Sequence, residues 1–292
     1  MTEDPKITIV IPCYNEEESL PLFLPGLFKY SKEKNCKVII INDGSTDSTE
    51  KILNEYSMQD NFTFINHKLN MGYGGALKTA IKNVRSEYLV SIDADGQHYL
   101  EDIDLLYEKL LETDADMVVG SRKEIKSEDA YRTTGKWIIR NISGLLVNSG
   151  VYDINSGMKL YKTELAQKYI NLCPDTMAFS DIITLIFSAN KHLVVEQPVR
   201  IKKRTGGKST VGLNTAFDTV MEVLNIVMLF NPIKIFLPLS LIFFVLGVVW
   251  GVPIIIAGRG VSVGAALLIL MGVITFLLGL IAEQLSLLRK RF

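Results

Sequence analysis

Short apolar runs recur along the amino-terminal part of the chain, and each empties into a polar or glycine-bearing segment. Ile7-Thr8-Ile9-Val10-Ile11 and Lys37-Val38-Ile39-Ile40-Ile41 are rich in β-branched residues and nearly unbroken, as strands buried on both faces are. The first is expected to end at Pro12. Phe62 to Asn66, Tyr88 to Ile92, Asp116 to Gly120 and Leu193 to Val199 predict further strands. Between them lie helix signals. Cys13 to Ser19 gives a loop and an acidic helix start, Asn42 to Thr49 a turn and N-cap before a helix over Glu50 to Tyr56, and Asn70 to Ala76 a glycine-rich loop opening another. Phe179 to Ala189 is helical by pattern. Strand, loop and helix in alternation predict an α/β fold: a Rossmann-like, mostly parallel sheet with helices on both faces.

Past Gly120 the pattern loosens into a charged segment from Lys123 to Arg132, followed by a helix with Trp137, Ile138, Ile142, Leu145 and Leu146 on one side. Asp153 to Tyr161 reads as a polar turn and a short apolar run, and Lys202 to Thr210 as a basic, glycine-bearing loop. Asn214 to Phe230 is amphipathic, with Asp218 and Glu222 on its polar face. Charge is then absent from Ile235 to Ala257 and again from Val261 to Ala282. Each run is about 22 residues, or about 33 Å as a helix, against a hydrocarbon core of about 30 Å. Only Gly258-Arg259-Gly260 separates them, so two transmembrane helices in a tight hairpin are expected, the first kinked at Pro238 and Pro253. Lys234 precedes the hairpin and Arg289-Lys290-Arg291 follows it, which puts both ends on the cytoplasmic side. The expected organisation is a cytoplasmic catalytic domain over 1–212, an amphipathic interface helix over 213–232, and two transmembrane helices with a short basic tail over 233–292.

Composition sharpens this. The net charge of −1 argues against nucleic acid as a partner. A mean hydropathy of +0.23 is high for a soluble enzyme, and its excess sits in the tail. Cys13, Cys36 and Cys173 show no metal-binding spacing and read as reduced, near-core residues. No apolar stretch near Met1 is long enough for a secretory signal, so the soluble domain is expected in the cytoplasm.

The segment carrying the most chemistry is Asp93-Ala94-Asp95-Gly96-Gln97-His98, just past an apolar strand. In an α/β fold that position lies in the ligand crevice. Asp93, Asp95 and Gln97 offer hard oxygen atoms of the kind Mg²⁺ or Mn²⁺ prefers. An Asx-rich turn capping the next helix fits the same residues, so this segment alone leaves both readings open. The glycine-rich loop fits neither a dinucleotide fingerprint nor a P-loop, and close backbone packing and phosphate contact suit it equally.

Seven segments together resemble one family: IPCYNEE (from Ile11), NDGSTDST (from Asn42), NMGYGGA (from Asn70), DADGQH (from Asp93), GSR (from Gly120), SGMKLY (from Ser156) and RTGGKST (from Arg204). Their order is similar to that of family 2 glycosyltransferases. More narrowly it resembles the polyprenyl-phosphate sugar synthases, such as dolichyl-phosphate mannose and glucose synthases. The resemblance covers the whole soluble domain. It implies a GT-A fold, with Pro12, Tyr14, Glu16 and Asp43 on the base and ribose of a nucleotide sugar. It implies Asp93, Asp95 and Gln97 on Mg²⁺ or Mn²⁺ against the diphosphate. Arg122, Arg140, Ser143 and Arg204 would bind the lipid phosphate, with Arg132 an alternative to Arg140 and Lys208 a second basic candidate. Asp95, Arg122 and Arg204 would carry catalysis, and Asp181 would position.

The implied reaction is inverting transfer of a hexose from GDP-mannose, UDP-glucose or UDP-N-acetylglucosamine to a polyprenyl (dolichyl) monophosphate at the cytoplasmic membrane face. Its partners are then a nucleotide sugar, the lipid phosphate and the bilayer, and the transmembrane helices offer a surface for a homo-oligomer. The physical logic is sound. Two anions a few ångströms apart repel by roughly 4 kcal/mol per charge pair at an effective dielectric of 20, and a cation on one with arginines on the other removes that barrier. A processive polysaccharide synthase is the nearest rival, but neither Trp137 nor Trp250 sits in a QxxRW motif. A non-catalytic nucleotide-binding membrane adaptor would not require intact Asp93, Asp95 and Gln97. A small transporter would show repeats and intramembrane charges, and neither is visible.

Overall fold

A computed structural model describes residues 4–122, 151–202, 228 and 231–289. The chain divides into two compact units, Met1–Leu213 and Asn214–Phe292. In the first, the elements run β1 (Ile7–Cys13), α1 (Leu20–Glu33), β2 (Lys37–Asn42), α2 (Thr49–Glu55), β3 (Phe62–Asn66), α3 (Tyr73–Asn83), β4 (Tyr88–Ser91), α4 (Asp102–Thr113), β5 (Met117–Ser121), β6 (Lys159–Lys162), α5 (Thr163–Tyr169), α6 (Phe179–Ala189) and β7 (Val194–Pro198).

The strands form one sheet in the order β3-β2-β1-β4-β6-β5-β7. Pairing is parallel except around β6, which runs antiparallel to both β4 and β5. The alternation of side chains along each strand sorts the core. Ile9, Val38, Val90, Leu160 and Val118 lie in register on one face and pack with Leu20, Leu24 and Leu27 of α1 and Ile103, Leu106 and Leu110 of α4. Val10, Ile39, Leu89 and Val119 point the other way, towards the side where α3 packs on β1 and β2. Both faces are therefore covered, which is why the strands read as continuous apolar runs.

Two local expectations need correcting. β1 does not stop before Pro12 but runs to Cys13. The Val10 carbonyl accepts the Ile92 N–H on the β4 side, so by alternation the Pro12 nitrogen also faces that side. β4 has ended at Ser91 by then, and the missing N–H leaves no ladder bond unmade. The acidic helix start also fails: Glu16, Glu17 and Glu18 precede α1, whose first turn holds no carboxylate. Glu16 and Glu17 instead lace the β1–α1 loop to the β2–α2 segment, where the Glu16 N–H donates to the Thr49 hydroxyl at 2.9 Å, Glu17 accepts the Ser48 N–H at 2.9 Å and Asp47 accepts the Glu17 N–H at 3.2 Å.

In the second unit α7 (Ile233–Ile256) and α8 (Val263–Arg289) pair along their length. Both are long and apolar enough to cross a membrane. The small residues Ser240, Gly247 and Gly251 are those that α7 buries, while Leu241, Val249, Trp250 and Ile256 stay exposed, as a lipid-facing surface would require. The three cysteines are buried and unbridged. Burial pushes the Cys36 thiol up to about 11 and Cys173 to about 12, so both are inert. The helix expected around Trp137 and the amphipathic helix over 213–232 lie almost wholly outside the described residues.

Candidate active site at the carboxyl edge of the sheet

Because β1, β2, β4, β5 and β7 point one way, their carboxyl ends share one edge of the sheet. Asp43, Asp93 and Arg122 follow those ends, and Pro12 is the last residue but one of β1. Antiparallel β6 contributes to the same edge from its entrance, so the loop Asp153 to Met158 arrives there as well. The sequence motifs are thus collected by topology.

Asp93 is the most closely surrounded of them. Its Oδ1 accepts the Tyr73 hydroxyl at 3.1 Å, and its Oδ2 lies 3.5 Å from His98 Nε2. A Cβ built on Gly157 would fall 2.3 Å from Asp93 Oδ2, so only glycine lets the β6 entrance lie across this carboxylate. Gly157 is tied down in turn, its carbonyl accepting the Ser91 hydroxyl at 2.9 Å. Burial alone would raise the Asp93 carboxyl, but His98, Tyr73 and the nearby Arg122 charge outweigh it and hold Asp93 below the ordinary carboxylate range. The group is an anion with a fixed orientation and remains 37% exposed.

Asp95 makes the Asx turn, its Oδ1 accepting the Gln97 N–H at 3.1 Å. The turn is present but does not cap the next helix, since α4 starts at Asp102 without a side-chain cap; it shapes the loop and leaves Asp93 at its mouth. Among the described residues no three His, Cys, Asp or Glu side chains gather into an all-protein cage. That donor set fits a hard cation of the Mg²⁺ type, which takes one or two carboxylates and completes its shell with water and phosphate oxygens. The far side of the loop is bolted to the chain leaving β7: His98 bridges to Ile201, and the Gln97 carbonyl accepts the Lys202 N–H at 2.8 Å. The Tyr99 ring lies 4.5 Å from the Arg200 guanidinium and 4.6 Å from the Lys202 ammonium. The basic segment that follows Lys202 starts from the flank of Asp95 and Gln97.

Of the other residues proposed for the nucleotide, Pro12 is buried, Tyr14 is 46% exposed, and Asp43 is buried at the end of β2. Glu16 has its carboxylate engaged by the Ser19 hydroxyl at 2.7 Å. The glycine-rich loop takes the packing reading. The Gly74 and Gly75 amides donate to the Asp175 carbonyl at 2.9 and 3.2 Å, and a Cβ on Gly74 would stand 2.3 Å from the Pro174 carbonyl oxygen. Those amides are spent on protein, not held open for phosphate.

Arg122 is held in a fork by Asp153, with Nε 2.7 Å from Oδ2 and Nη2 2.7 Å from Oδ1, while Nη2 also reaches the Asn155 carbonyl at 3.0 Å. Asp153 raises the Arg122 guanidinium further, and its own carboxyl, which burial would raise, is held low by that partner. Under the pair lies Lys159, fully buried, whose ammonium donates to the carbonyls of Ile154 and Ser180. Burial pushes it down to about 7, with Asp181 and Asp153 opposing. Asp181 is buried in the first turn of α6 beside this cluster. Arg132, Arg140, Ser143, Arg204 and Lys208 lie outside the described residues. The sequence singled out neither Tyr73, His98 nor Gly157 as parts of the site, although all three stand inside segments it did single out.

A family model described as glycosyl transferase family 2 matches residues 8–172, and one described as the GtrB C-terminal hairpin matches 231–288. A dolichyl-phosphate beta-glucosyltransferase of Trichomonas vaginalis is 32% identical over 54% of this chain and 53% of its own length. One of Dictyostelium discoideum is 31% identical over 56% and 55%. The chain thus spans about half the length of these curated relatives. An uncharacterized protein of Methanocaldococcus jannaschii is 31% identical over 68% of the chain and 81% of its own. Among solved structures, glucosyl-3-phosphoglycerate synthase from Mycobacterium tuberculosis superposes with a TM-score of 0.56 at 18% identity, over 76% of this chain and 79% of that one. S. aureus TarS in complex with UDP gives 0.50 at 17%, over 77% and 66%. At such identities the likeness bears on the GT-A fold alone. With more than half its length matched, the chain belongs to glycosyl transferase family 2 and carries a GtrB-type carboxy-terminal hairpin.

Proposed function

We propose that this protein transfers a hexose from a nucleotide sugar to a polyprenyl monophosphate, with inversion at the sugar carbon, on the cytoplasmic face of a membrane. The observation that carries the reading is the shared edge. The cation-binding carboxylates of Asp93 and Asp95, past the end of β4, and the guanidinium of Arg122, past the end of β5, stand on one edge of the sheet, in a chain with two helices apolar enough to span a bilayer. The dolichyl-phosphate glucosyltransferase relatives support the acceptor class, and the M. tuberculosis synthase in complex with Mn²⁺ and UDP-glucose supports a metal and a nucleotide donor.

In this reading Asp93, Asp95 and Gln97 would hold Mg²⁺ or Mn²⁺, which when bound neutralises the departing diphosphate. Tyr73 and His98 orient Asp93 for that work, and Gly157 leaves it room. Pro12, Tyr14, Glu16 and Asp43 line the nucleoside side. On the acceptor side Arg122, with two of its nitrogens on Asp153, offers Nη1 to a phosphate, and Arg140, Ser143 and Arg204 are proposed to complete that subsite. A phosphate monoester has a second pKa of about 6, so the nucleophile is ionised at pH 7 and no general base is required. A long polyprenol, at about 0.8 kcal/mol per CH₂, is strongly held in the bilayer, and the hairpin brings the catalyst to it.

The purified full-length protein, supplied with UDP-glucose, GDP-mannose or UDP-N-acetylglucosamine, Mg²⁺ and polyprenyl phosphate, is expected to yield a lipid heavier by one sugar residue. EDTA should abolish the product and excess Mg²⁺ or Mn²⁺ restore it. Turnover that persists in EDTA contradicts the metal assignment, and release of free sugar without glycolipid contradicts the acceptor.

A further inference from the structure

Asp43 follows the last residue of β2 and stands on the same edge as Pro12 and Asp93. Its side chain is only 4% exposed, yet it is fastened through one oxygen. Oδ1 lies 2.6 Å from His67 Nδ1 and accepts the Met71 N–H at 2.8 Å. Among the described residues Oδ2 makes no hydrogen bond. A carboxylate only accepts, so His67 carries a proton on Nδ1 here. The other end of the ring is held by α3, with Nε2 2.9 Å from the Thr79 hydroxyl, which also reaches the Gly75 carbonyl at 3.1 Å.

The backbone around the pair is equally fixed. Asp43 N–H donates to the Cys13 carbonyl at 2.8 Å, and His67 N–H to the Asn42 carbonyl at 2.9 Å. Four pieces of the fold (the end of β1, β2, the segment after β3, and α3) therefore converge to aim one carboxylate. Any buried histidine would have both ring nitrogens engaged; what marks this one is that its partner is a carboxylate fastened through a single oxygen.

We infer that His67 is a positioning residue for nucleobase recognition: it pins Asp43 Oδ1 so that Oδ2 meets the base as an acceptor, selecting rings that carry an N–H at that point. This rests on the reading above, in which a nucleotide sugar occupies this edge. Uracil and guanine present a ring N–H. Cytosine and adenine present a ring lone pair, which would set acceptor against acceptor in a largely dehydrated place.

The test is calorimetric titration of UDP, GDP, CDP and ADP with Mg²⁺ onto the full-length protein in detergent. The wild type is expected to bind UDP or GDP at least about tenfold more tightly than CDP and ADP. His67→Gln, whose amide reaches towards Thr79 and not Asp43, should lose about tenfold on the preferred nucleotide and most of the selectivity. His67→Asn places an N–H where Nδ1 stands and should remain within about twofold of wild type. In an Asp43→Ala background His67→Gln should add nothing, with melting temperatures confirming that each variant is folded. Unchanged affinity and selectivity in His67→Gln overturns the inference, as does an equal loss with Asp43 absent, which marks a merely structural histidine. A wild type that forms glycolipid without base preference overturns it while leaving the transferase reading intact. A wild type that binds no nucleotide overturns both.

Discussion

Replacing Asp93 by asparagine is expected to lower kcat/KM for sugar transfer by about three orders of magnitude while leaving the fold almost untouched. The two halves of that expectation have separate causes. Asparagine is isosteric, its carbonyl can still accept the Tyr73 hydroxyl now 3.1 Å from Oδ1, and the Gly157 gap still admits it. Arg122 keeps its fork on Asp153 when the Asp93 charge is removed, so that cation is not stranded, and stability should shift by less than about 1 kcal/mol. Catalysis suffers because an amide supplies no net charge to a divalent cation, and metal-centred charge stabilisation contributes several kcal/mol to such transition states. Steady-state kinetics alongside a thermal melt separates the two. A variant that melts early and loses activity in proportion would recast Asp93 as a structural residue.

Lys159→Met should do the opposite and act first on stability. The ammonium is fully buried and satisfies the carbonyls of Ile154 and Ser180, so it joins the entrance of β6 to the start of α6. Methionine fills similar volume but leaves two buried acceptors unsatisfied and removes the cation beside Asp181 and Asp153. A loss of about 3 kcal/mol or more follows. The loop carrying Asp153 and Gly157 then loosens, and with it the fork on Arg122 and the seat of Asp93, so activity should fall at least about tenfold in protein that is still folded.

A pH signature distinguishes this from simple loss of packing. Burial holds Lys159 down to about 7 against 10.5 in the unfolded chain. Between those values the unfolded state binds the extra proton, so the wild type gains stability from this group as pH rises. The gap between wild type and Lys159→Met should widen from pH 7 towards pH 10. A gap that is constant across that range would show the lysine to be fully charged in the folded protein.

Much of the architecture was legible in the chain because local pattern and tertiary context agree there. The runs at Ile7, Lys37 and Tyr88 are apolar on both faces and become inner strands, the Phe62 run forms the edge strand beside them, and Phe179 to Ala189 forms the helix its spacing predicts. What escaped depends on contacts distant in sequence. Lys159-Leu160-Tyr161-Lys162 is bracketed by lysines and gives no hint that it enters the sheet antiparallel, or that the first lysine is fully buried. The acids Glu16 to Glu18 resemble a helix start but precede it, and Glu17 is instead spent on a neighbouring loop.

The site divides in the same way. Asp93 and Asp95 announce themselves by type and spacing at a strand end. Tyr73 and Gly157 stand in glycine-bearing segments where packing and ligand contact look alike, and only the Asp93 carboxylate between them reveals their part. His67 stands in no motif at all, and its signal is the partner that the fold brings to it. Arg122 shows a third case. Its position after β5 was foreseen, but Asp153, which holds two of its guanidinium nitrogens, is 31 residues away in the chain.

The account turns on a carboxylate at the end of β4, held as an oriented anion, gripping a cation together with a nucleoside diphosphate. Titrating UDP and GDP onto the full-length wild type and Asp93→Asn, each with and without Mg²⁺, tests that most directly. In the wild type Mg²⁺ should tighten the preferred nucleotide by at least about tenfold, and in Asp93→Asn the metal should make almost no difference. Equal enhancement by Mg²⁺ in both proteins, or none in the wild type, would contradict it.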